Sequence, residues 1–570
     1  MPYKSLIVER DVEMAARDGT ILRADVYRPN TQQAVPVLLQ RTPYSKTLAP
    51  SAFVLTATER GYAVVVQDTR GRWASEGKVA AFEGEKTDGY DTVQWAASRP
   101  WADGGVGMFG GSYVGYTQMM AASQHPPALK TIIPSITFCD PRTCLHPGGA
   151  PGLGVALSWG LTAQGQMALQ RHEGDEDEKA EMMRELITAI DGMVTGESFR
   201  RLPLVDTPVI GHDGIYPFLS DVISLSRADT SFWQGISASP EEIEVPALHV
   251  GGWYDIFAKQ TVDHFVAIKA AGRTDQKLLM GPWLHGPLSS FVGDVDFTFA
   301  ASDAAVLSDE LQLRWFDHWL KGVDNGIMEE PPVRIFVMGD NVWRSEESWP
   351  LARAKATACY LHSGGAANSL RGDGTLSFDV PGDEPIDTFV YDPRNPVPTR
   401  GGGLCCSAAA LAAGAFDQHE VEERPDVLVY TSAPLDKDVE VTGPVRVHLW
   451  ATTSARDTDF TAKLVDVEPC GYARNLCDGI IRARYRTSLA EPHLVEPHAV
   501  LEYTIELGPT SNVVKAGHRI RLEISSSNFP KYARNTNTGG PIGTETELRP
   551  AVQTVLHDAE HASYLEICIV

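Results

Sequence analysis

An alternation of short apolar runs with helical stretches over about the first 135 residues limits the folds open to this chain more than any other feature. A helical stretch covers 88–98, and the apolar runs around it are mostly rich in β-branched residues. Continuous apolar strands spaced by helices indicate a parallel sheet covered on both faces. Residues 21–28 instead alternate apolar with polar side chains, which predicts part of an antiparallel hairpin. The apolar runs are 35–40, 62–67, 106–110 and 129–134.

The pattern changes after this first segment. Helical periodicity, as in 176–190, replaces strands from about 141 to 244 and predicts a helical insertion. Strand patterns resume at 245–250 and 277–280. A long amphipathic helix is predicted over 304–321, ended by Gly322 in the position after a helix that favours glycine.

The last third is predicted to be almost entirely β. Short strand patterns there are divided by Gly, Pro, Asn and Asp, which favours a β-sandwich or jelly roll. A chain of 570 residues is also too long for one hydrophobic core. The predicted strands are 427–430, 439–441, 445–451, 461–467, 480–486, 501–507 and 520–525. The predicted organisation is an α/β core in residues 1–140 and 245–352, a cap in 141–244 and a jelly roll in 353–570.

Charge and cysteine usage limit the partners and the cellular compartment expected for this protein. The formal net charge is −25, from 74 acidic and 49 basic residues, and a phosphate backbone or an anionic membrane would be repelled. We see no signal-peptide pattern and no apolar run of membrane-spanning length. None of the eight cysteines forms a C-x-x-C pair, and the adjacent Cys405 and Cys406 are poorly placed for a disulfide. Free thiols in the cytoplasm are expected.

Neither a metal nor a cofactor is predicted. The acidic run at 172–181 lacks the Gly and Glu spacing of a calcium loop and is typical of a solvated helix start. The expected partner is a small-molecule substrate, and the oligomeric state, including a homodimer, stays open.

The segment 106–116 (VGMFGGSYVGY) reads as an apolar strand, a tight glycine-flanked turn and a helix. Such a turn presents a serine hydroxyl where a base can reach it. Gly110 precedes Ser112 by two residues, as the nucleophile elbow G-x-S-x-G requires, but the second glycine is displaced to Gly115. Alone, this pattern also fits a glycine-rich turn with an idle serine.

An acid and a base follow in the order that an α/β-hydrolase requires. Asp255 follows the predicted strand 245–250, and His285 follows the predicted strand 277–280. Because sites in open α/β sheets lie at the carboxyl ends of the strands, Ser112, His285 and Asp255 are predicted to converge as nucleophile, base and orienting acid.

Three other histidines of the core segments are not expected to take part. His125 ends the helix after the elbow and is predicted to lie at the surface. His249 falls inside a strand and is predicted to be a hydrogen-bonded core residue. His264, next to Asp263 on a helix, is predicted to lie at the surface.

Five motifs in order make the chain resemble the cocaine-esterase and X-Pro dipeptidyl-peptidase family of α/β-hydrolases. The Gly-x-Ser-Tyr-x-Gly form of the elbow is this family's own version. The resemblance covers nearly the whole chain and implies an α/β-hydrolase core, an inserted helical cap and a C-terminal jelly roll. The motifs are 41–44 (RTPY), 68–77 (DTRGRWASEG), 110–115 (GGSYVG), 252–255 (GWYD) and 281–285 (GPWLH).

The resemblance also implies an oxyanion hole made of the Tyr44 phenol and the backbone N–H of Tyr113. Tyr44 follows the predicted strand 35–40, where this fold places its second oxyanion donor. A packing role beside Pro43 is the alternative. Asp68, Arg70 and Arg72 are predicted to form a structural ion-pair and cap network rather than to bind substrate.

Enzymes of this kind divide into aryl-ester hydrolases, α-amino-acid ester hydrolases and dipeptidyl-peptidases. The last two need carboxylates in the pocket for a substrate ammonium, and nothing in the sequence places the cap acids Glu173 and Asp175 there. We therefore predict a carboxylic-ester hydrolase for small or aryl acyl groups. Phe257 and Trp159 are candidates for its pocket, with ordinary core packing as the alternative. A non-catalytic binding protein on a degenerate hydrolase fold is the remaining alternative.

Overall fold

In the computed structural model, residues 5–48, 51–211, 216, 218–224 and 230–570 are described. A ten-stranded sheet forms the first part of the molecule. Its strands are β1 (Leu6–Ala15), β2 (Ile21–Pro29), β3 (Val35–Thr42), β4 (Ala63–Asp68), β5 (Ala102–Gly111), β6 (Leu129–Ser135), β7 (Ala247–Tyr254), β8 (Gln276–Leu284), β11 (Val333–Val337) and β12 (Val342–Glu346). A separate two-stranded ribbon consists of β9 (Phe291–Val292) and β10 (Val295–Asp296).

The strands of the large sheet lie in the order β1-β2-β4-β3-β5-β6-β7-β8-β11-β12. All neighbours from β4 through β11 pair in parallel, and the edge pairs β1–β2, β2–β4 and β11–β12 are antiparallel. The predicted parallel sheet and N-terminal hairpin are thus confirmed. A crossover helix between parallel strands returns the chain to the same edge, so the loops after the strands share one end of the sheet.

Helices cover both faces of this sheet, as its continuous apolar strands require. Val65 of β4 packs in one core cluster with Val93 and Met119, whereas Val64 packs in a second cluster with Trp315. Successive side chains of a strand point to opposite faces, so a strand buried on both sides must be apolar throughout. The helices of this part are α1 (Ala52–Glu59), α2 (Glu85–Ala97), α3 (Tyr113–Ala122), α11 (Ala258–Ala270), α12 (Asp303–Val306) and α13 (Ser308–Lys321).

The helix predicted over 304–321 is interrupted. Leu307 has a left-handed φ of 55°, which separates α12 from α13, and Gly322 ends α13 with a φ of 66° as predicted. Hydrophobic periodicity is similar on both sides of such a break, so the pattern alone did not reveal it.

Only helices and turns lie between β6 and β7 in the described part of the chain, as predicted for the insertion. A π-helical turn, Gly160–Gly165, joins two of these helices. The helices are α4 (Arg142–Leu145), α5 (Leu153–Trp159), α6 (Gln166–Arg171), α7 (Glu176–Thr195), α8 (Glu197–Arg200), α9 (Phe218–Ser224) and α10 (Thr230–Ile236).

The last third is a mainly β domain of eleven hydrogen-bonded strands with one short helix, α14 (His419–Glu422). The two segments predicted at 439–451 are one strand, β17, with a register shift at Val445. The strands are β13 (Lys355–His362), β14 (Thr375–Ser377), β15 (Asp387–Tyr391), β16 (Leu428–Ser432), β17 (Val439–Thr453), β18 (Asp459–Val467), β19 (Ala473–Arg482), β20 (Leu501–Val514), β21 (Arg519–Ser525), β22 (Ala551–Leu556) and β23 (Tyr564–Ile569). The exact division of the chain into core, cap and jelly roll at the predicted boundaries stays a prediction.

Two predictions about single residues are wrong. Cys405 and Cys406 form a disulfide, which the left-handed backbone of Cys406 (φ 74°) accommodates. His264 is buried rather than at the surface, because neighbouring residues on a helix point about 100° apart and only Asp263 faces solvent. His125 is exposed, and buried His249 bonds Gln276, as predicted.

Candidate active site

Ser112 is the first residue after β5 and immediately precedes α3. Its backbone has a φ of 60° and a ψ of −128°, a strained combination for a residue with a side chain. The N–H of Ser112 donates to the carbonyl of Ser135 at 3.0 Å, which holds the turn against the neighbouring strand. The turn therefore holds the hydroxyl above the carboxyl end of the sheet.

The displaced glycine of the elbow has a steric reason. A Cβ on Gly110, whose φ is 121°, would lie 2.4 Å from the side chain of Val114. A Cβ on Gly115 would lie 2.6 Å from Cβ of Thr137. Because α3 approaches the segment after β6 at position 115 rather than 114, the second glycine is required one residue later than in the common motif.

Ser112, His285 and Asp255 form one chain of hydrogen bonds. Nε2 of His285 lies 2.9 Å from Oγ of Ser112, and Nδ1 of His285 lies 2.7 Å from Oδ1 of Asp255. Each of the three residues directly follows a parallel strand, namely β5, β8 and β7. The sequence-based prediction that they converge agrees with this geometry.

The three hydrogen-bonded residues differ in their exposure to solvent. The side chain of Asp255 is 0% exposed and that of His285 is 10% exposed, while Ser112 is partly exposed. The buried carboxylate fixes the orientation of the imidazole, and the exposed end leaves the hydroxyl open to a substrate.

Tyr44 lies beside this group on the loop after β3. Its phenol oxygen accepts a hydrogen bond of 3.1 Å from Nε1 of Trp159 and is within hydrogen-bonding reach of the Ser112 side chain. Burial raises the pKa of the Tyr44 phenol, although the bonds with Trp159 and Ser112 act in the opposite direction. The phenol therefore keeps its proton at neutral pH, and because it accepts from Trp159, that proton remains free to be donated.

The predicted oxyanion donor at Tyr113 is its backbone N–H, and the side chain is hydrogen-bonded elsewhere. Tyr113 is the first residue of α3, where backbone N–H groups lack an acceptor within the helix. Its hydroxyl donates to Oε1 of Glu85 at 3.0 Å, and the other carboxylate oxygen of Glu85 accepts from Arg41 at 2.5 Å. The side chain is thereby anchored, and the N–H points from a helix N-terminus.

The two predicted pocket residues belong to a continuous group of aromatic rings near Ser112. Phe257 contacts the His285 ring, with centroids 5.1 Å apart, and packs on Phe138 at 4.8 Å. Trp159 stacks on Phe82 at 5.4 Å. Phe82 and Phe138 were not predicted, because Phe82 lies in a loop outside any motif and only the tertiary fold brings it to the site.

The last third of the chain also reaches this neighbourhood. Leu404 packs in the same core cluster as Phe257, and the carbonyl of Cys405 accepts from Ser158, next to Trp159, at 3.3 Å. The phenol of Tyr254, next to Asp255, donates to the carbonyl of Asn475 at 2.8 Å. The β domain therefore braces the loop that carries Asp255.

Comparison with known proteins shows to which family the chain belongs. Residues 18–287 match the X-Pro dipeptidyl-peptidase (S15 family) model, and residues 325–566 match the X-Pro dipeptidyl-peptidase C-terminal non-catalytic domain. The chain is 39% identical to cocaine esterase of Rhodococcus sp. (strain MB1 Bresler) over 99% of its own length and 98% of that protein's. The chain belongs to this family. It is a serine ester hydrolase of the α/β-hydrolase fold, and the resemblance that the five motifs carried is confirmed.

Solved structures of family members share the whole architecture. An α-amino acid ester hydrolase is 26% identical, with a TM-score of 0.78 over 99% of this chain and 97% of that one. An aminopeptidase from a marine sediment archaeon (Thaumarchaeota archaeon) is 26% identical, with a TM-score of 0.79 over 99% and 96%. The predicted α/β-hydrolase core with an inserted helical cap and a C-terminal β domain is confirmed.

The predicted ion-pair network after β4 is only partly present. Asp68 pairs with Lys46 at 3.2 Å, and Arg70 pairs with Asp88 and Asp18. Arg72 is also buried but bonds Gln164 and has no carboxylate partner in the described ranges, so the network prediction is wrong for this residue.

Two further observations concern metals and membranes. Within the described ranges, no group of three or more His, Cys, Asp or Glu side chains could hold a metal ion. Among the helices of those ranges, none is both long and apolar enough to cross a membrane.

Proposed function

We propose that this protein hydrolyses carboxylic esters with a small or aromatic acyl group through an acyl-enzyme on Ser112. The observation that carries the proposal is the unbroken chain of hydrogen bonds from Ser112 through His285 to Asp255. A small-molecule ester is the partner, and cytoplasmic location without nucleic-acid or membrane partners stays a prediction.

In the first half of the reaction, Oγ of Ser112 attacks the ester carbonyl while Nε2 of His285 takes the hydroxyl proton. Negative charge then develops on the carbonyl oxygen, where the Tyr44 phenol and the Tyr113 N–H donate hydrogen bonds. The imidazolium of His285, stabilised by the buried carboxylate of Asp255, gives its proton to the leaving alkoxide. The products of this half are the free alcohol and the acyl ester of Ser112.

In the second half, water replaces the alcohol. His285 takes a proton from the water as its oxygen attacks the acyl carbon, and it returns the proton to Oγ of Ser112 as the acid leaves. The same two oxyanion donors act in both halves, because the charge develops on the same oxygen.

The rings near Ser112 favour an aromatic acyl group. Phe82, Phe138, Trp159 and Phe257 offer apolar faces for stacking or edge contacts with another ring. Phe257 lies directly against His285, so an acyl ring on Phe257 would also exclude water from the imidazole.

Hydrolysis of α-amino-acid esters or amides is the second candidate, because an α-amino acid ester hydrolase shares the fold over 99% of this chain. The charges argue against it. Glu85, beside Tyr113, is already paired with Arg41, Asp175 caps α7 by accepting from the N–H of Glu178, and Glu173 is exposed. A substrate ammonium would need an unpaired carboxylate instead.

A substrate panel tests the choice. We expect 4-nitrophenyl benzoate and acetate to be hydrolysed, with kcat/KM at least about tenfold above that of phenylglycine methyl ester or glycyl-proline 4-nitroanilide, as one missing charge-assisted contact implies. The Ser112→Ala variant is the control for background hydrolysis. Preference for the α-amino substrates would contradict the assignment to neutral acyl groups.

A further inference from the structure

Arg72 is a buried cation that has no carboxylate partner among the residues that the structure describes. Its residue is 1% exposed, and its side chain donates to the amide oxygen of Gln164. It forms no ion pair with any side chain in the part of the chain that the structure describes. A guanidinium keeps its charge in proteins, and a buried charge is ordinarily paired. An anion would therefore be a favourable partner for this guanidinium.

Gln164 also has a buried polar atom without a hydrogen-bond partner in the described ranges. It is 1% exposed, its oxygen accepts from Arg72, and its Nε2 is buried with no hydrogen-bond partner in the described ranges. A buried amide donor that is left unpaired destabilises the fold. Arg72 and Gln164 together therefore offer N–H donors with no acceptor of their own.

These donors lie on segments that adjoin the residues around Ser112. Gln164 is on the π-helical turn Gly160–Gly165, which directly follows Trp159, and Trp159 bonds Tyr44. π-helical turns inside helices occur frequently at functional sites. The indole N–H of Trp73, next to Arg72, donates to the carbonyl of Pro43, next to Tyr44, at 3.0 Å, so the loop of Arg72 packs against the loop of Tyr44. Burial raises the pKa of the Tyr44 phenol, and the positive charge of Arg72 acts in the opposite direction.

A purely structural role does not account for Arg72. Arg70, two residues earlier, has such a role: it is bidentate to Asp88 and also pairs with Asp18. Among the described residues, the side-chain partner of Arg72 is a neutral amide, which does not compensate its charge. Two arginines of one loop thus differ in whether a described residue supplies the anion.

We propose that Arg72 and Gln164 bind a carboxylate carried by the acyl portion of the substrate, which makes half-esters of aromatic dicarboxylic acids the preferred class. The leaving alcohol must face His285 to receive its proton, whereas Arg72 lies on the loop that packs against the loop of Tyr44. A carboxylate matches a guanidinium and an amide N–H, and the neighbouring rings suit an aromatic acyl group. This inference rests on the proposed ester hydrolysis.

The kinetic test compares charged substrates with neutral isosteres. The probes are 4-nitrophenyl esters of 3- and 4-carboxybenzoic acid and of the matching carbamoylbenzoic acids. For one of the two pairs, we expect kcat/KM of the carboxybenzoate ester to exceed that of the matching carbamoylbenzoate ester about 10- to 100-fold. This ratio corresponds to one charge-assisted hydrogen bond. Equal kcat/KM for both pairs would overturn the proposal. A preference confined to a carboxylate in the leaving group would also overturn it. The benzoate esters of 4-hydroxybenzoate and 4-hydroxybenzamide test this case.

Variants identify the residues. Arg72→Gln and the isosteric Gln164→Glu, which supplies an internal countercharge, should both reduce the carboxylate-to-amide ratio to about one. Arg70→Gln is the matched control and should keep the wild-type ratio. Because Gln164→Glu pairs a buried charge, it should also fold if Arg72→Gln does not. A ratio unchanged in Gln164→Glu would contradict the assignment.

A binding measurement separates this inference from the proposed reaction. In the Ser112→Ala variant, isothermal titration should give the carboxylate ester a Kd about 10- to 100-fold below that of the amide. If wild-type enzyme hydrolysed neither ester but Ser112→Ala kept this difference, the reaction would be wrong and the carboxylate site right. Equal Kd values would overturn the site, whatever the turnover.

Discussion

The indole N–H of Trp159 donates to the phenol oxygen of Tyr44 across 3.1 Å. The bond joins the helical insertion to the loop after β3. It occupies an acceptor position of Tyr44 and so directs the phenol's own proton away from Trp159. We therefore expect Trp159 to position Tyr44, the predicted oxyanion donor, in addition to its place among the aromatic rings.

Tyr44→Phe should lower kcat by about 10²–10³-fold with little change in KM, because the lost O–H acts on charge present only in the transition state. Phenylalanine keeps the ring, so the melting temperature should barely change. Steady-state kinetics and thermal melting check this result. Near wild-type kcat would mean that the second donor lies elsewhere on the same loop.

Trp159→Phe should lower kcat less, by about tenfold, since it removes one hydrogen bond that orients Tyr44. In the Tyr44→Phe background, the same change should have almost no further effect on kcat. A double-mutant cycle measures this coupling. Additive losses would show that Trp159 acts through substrate packing alone.

His285→Ala should match Ser112→Ala within about tenfold in kcat, because the two residues act as a unit. Asp255→Asn should be milder by about 10–100-fold, since the acid only orients the imidazole and stabilises its charge. Circular dichroism controls for folding. Wild-type activity in Asp255→Asn would require another orienting carboxylate.

A histidine of the β domain makes stability depend on pH. The buried His557 ring lies 2.9 Å from Oδ2 of Asp387 and 3.3 Å from Oε2 of Glu384. Burial lowers the pKa of His557, but the bond to Asp387 and the two negative charges outweigh it, so the pKa is raised. The imidazolium therefore stabilises the fold below about pH 6.5, and this contribution is lost as pH rises through the folded-state pKa.

His557→Gln should accordingly lower the melting temperature most below about pH 6.5, with a loss of about 1.5–3 kcal/mol there and a smaller one at higher pH. The exposed His125→Gln is the control and should show little change at any pH. Thermal melting across pH checks both variants. A loss for His557→Gln that does not vary with pH would contradict the charged pair.

Much of the site could be predicted from one property of the fold. Parallel strands end at one edge, so the residues directly after β5, β7 and β8 had to meet, and only Ser112, Asp255 and His285 had the right chemistry in the right order. Phe82, Gln164 and Leu404 come from a loop, a π-helical turn and the β domain. No local pattern encodes their positions in the tertiary structure, because these depend on how distant segments pack.

Three errors in the sequence-based predictions have local causes. His264 was assigned to the surface from its neighbour Asp263, although adjacent helical residues face different sides. The disulfide of Cys405 and Cys406 needs an unusual left-handed residue that composition does not indicate. The helix break at Leu307 has the same origin, since neither leucine nor its neighbours mark a turn.

The most direct test of Ser112 as nucleophile is labelling with a fluorophosphonate, followed by peptide mapping in a mass spectrometer. We expect one label per chain, on Ser112, formed at a rate that falls strongly in His285→Ala, and no labelling in Ser112→Ala. A stoichiometric label on another serine, or labelling that persists in Ser112→Ala, would contradict the account.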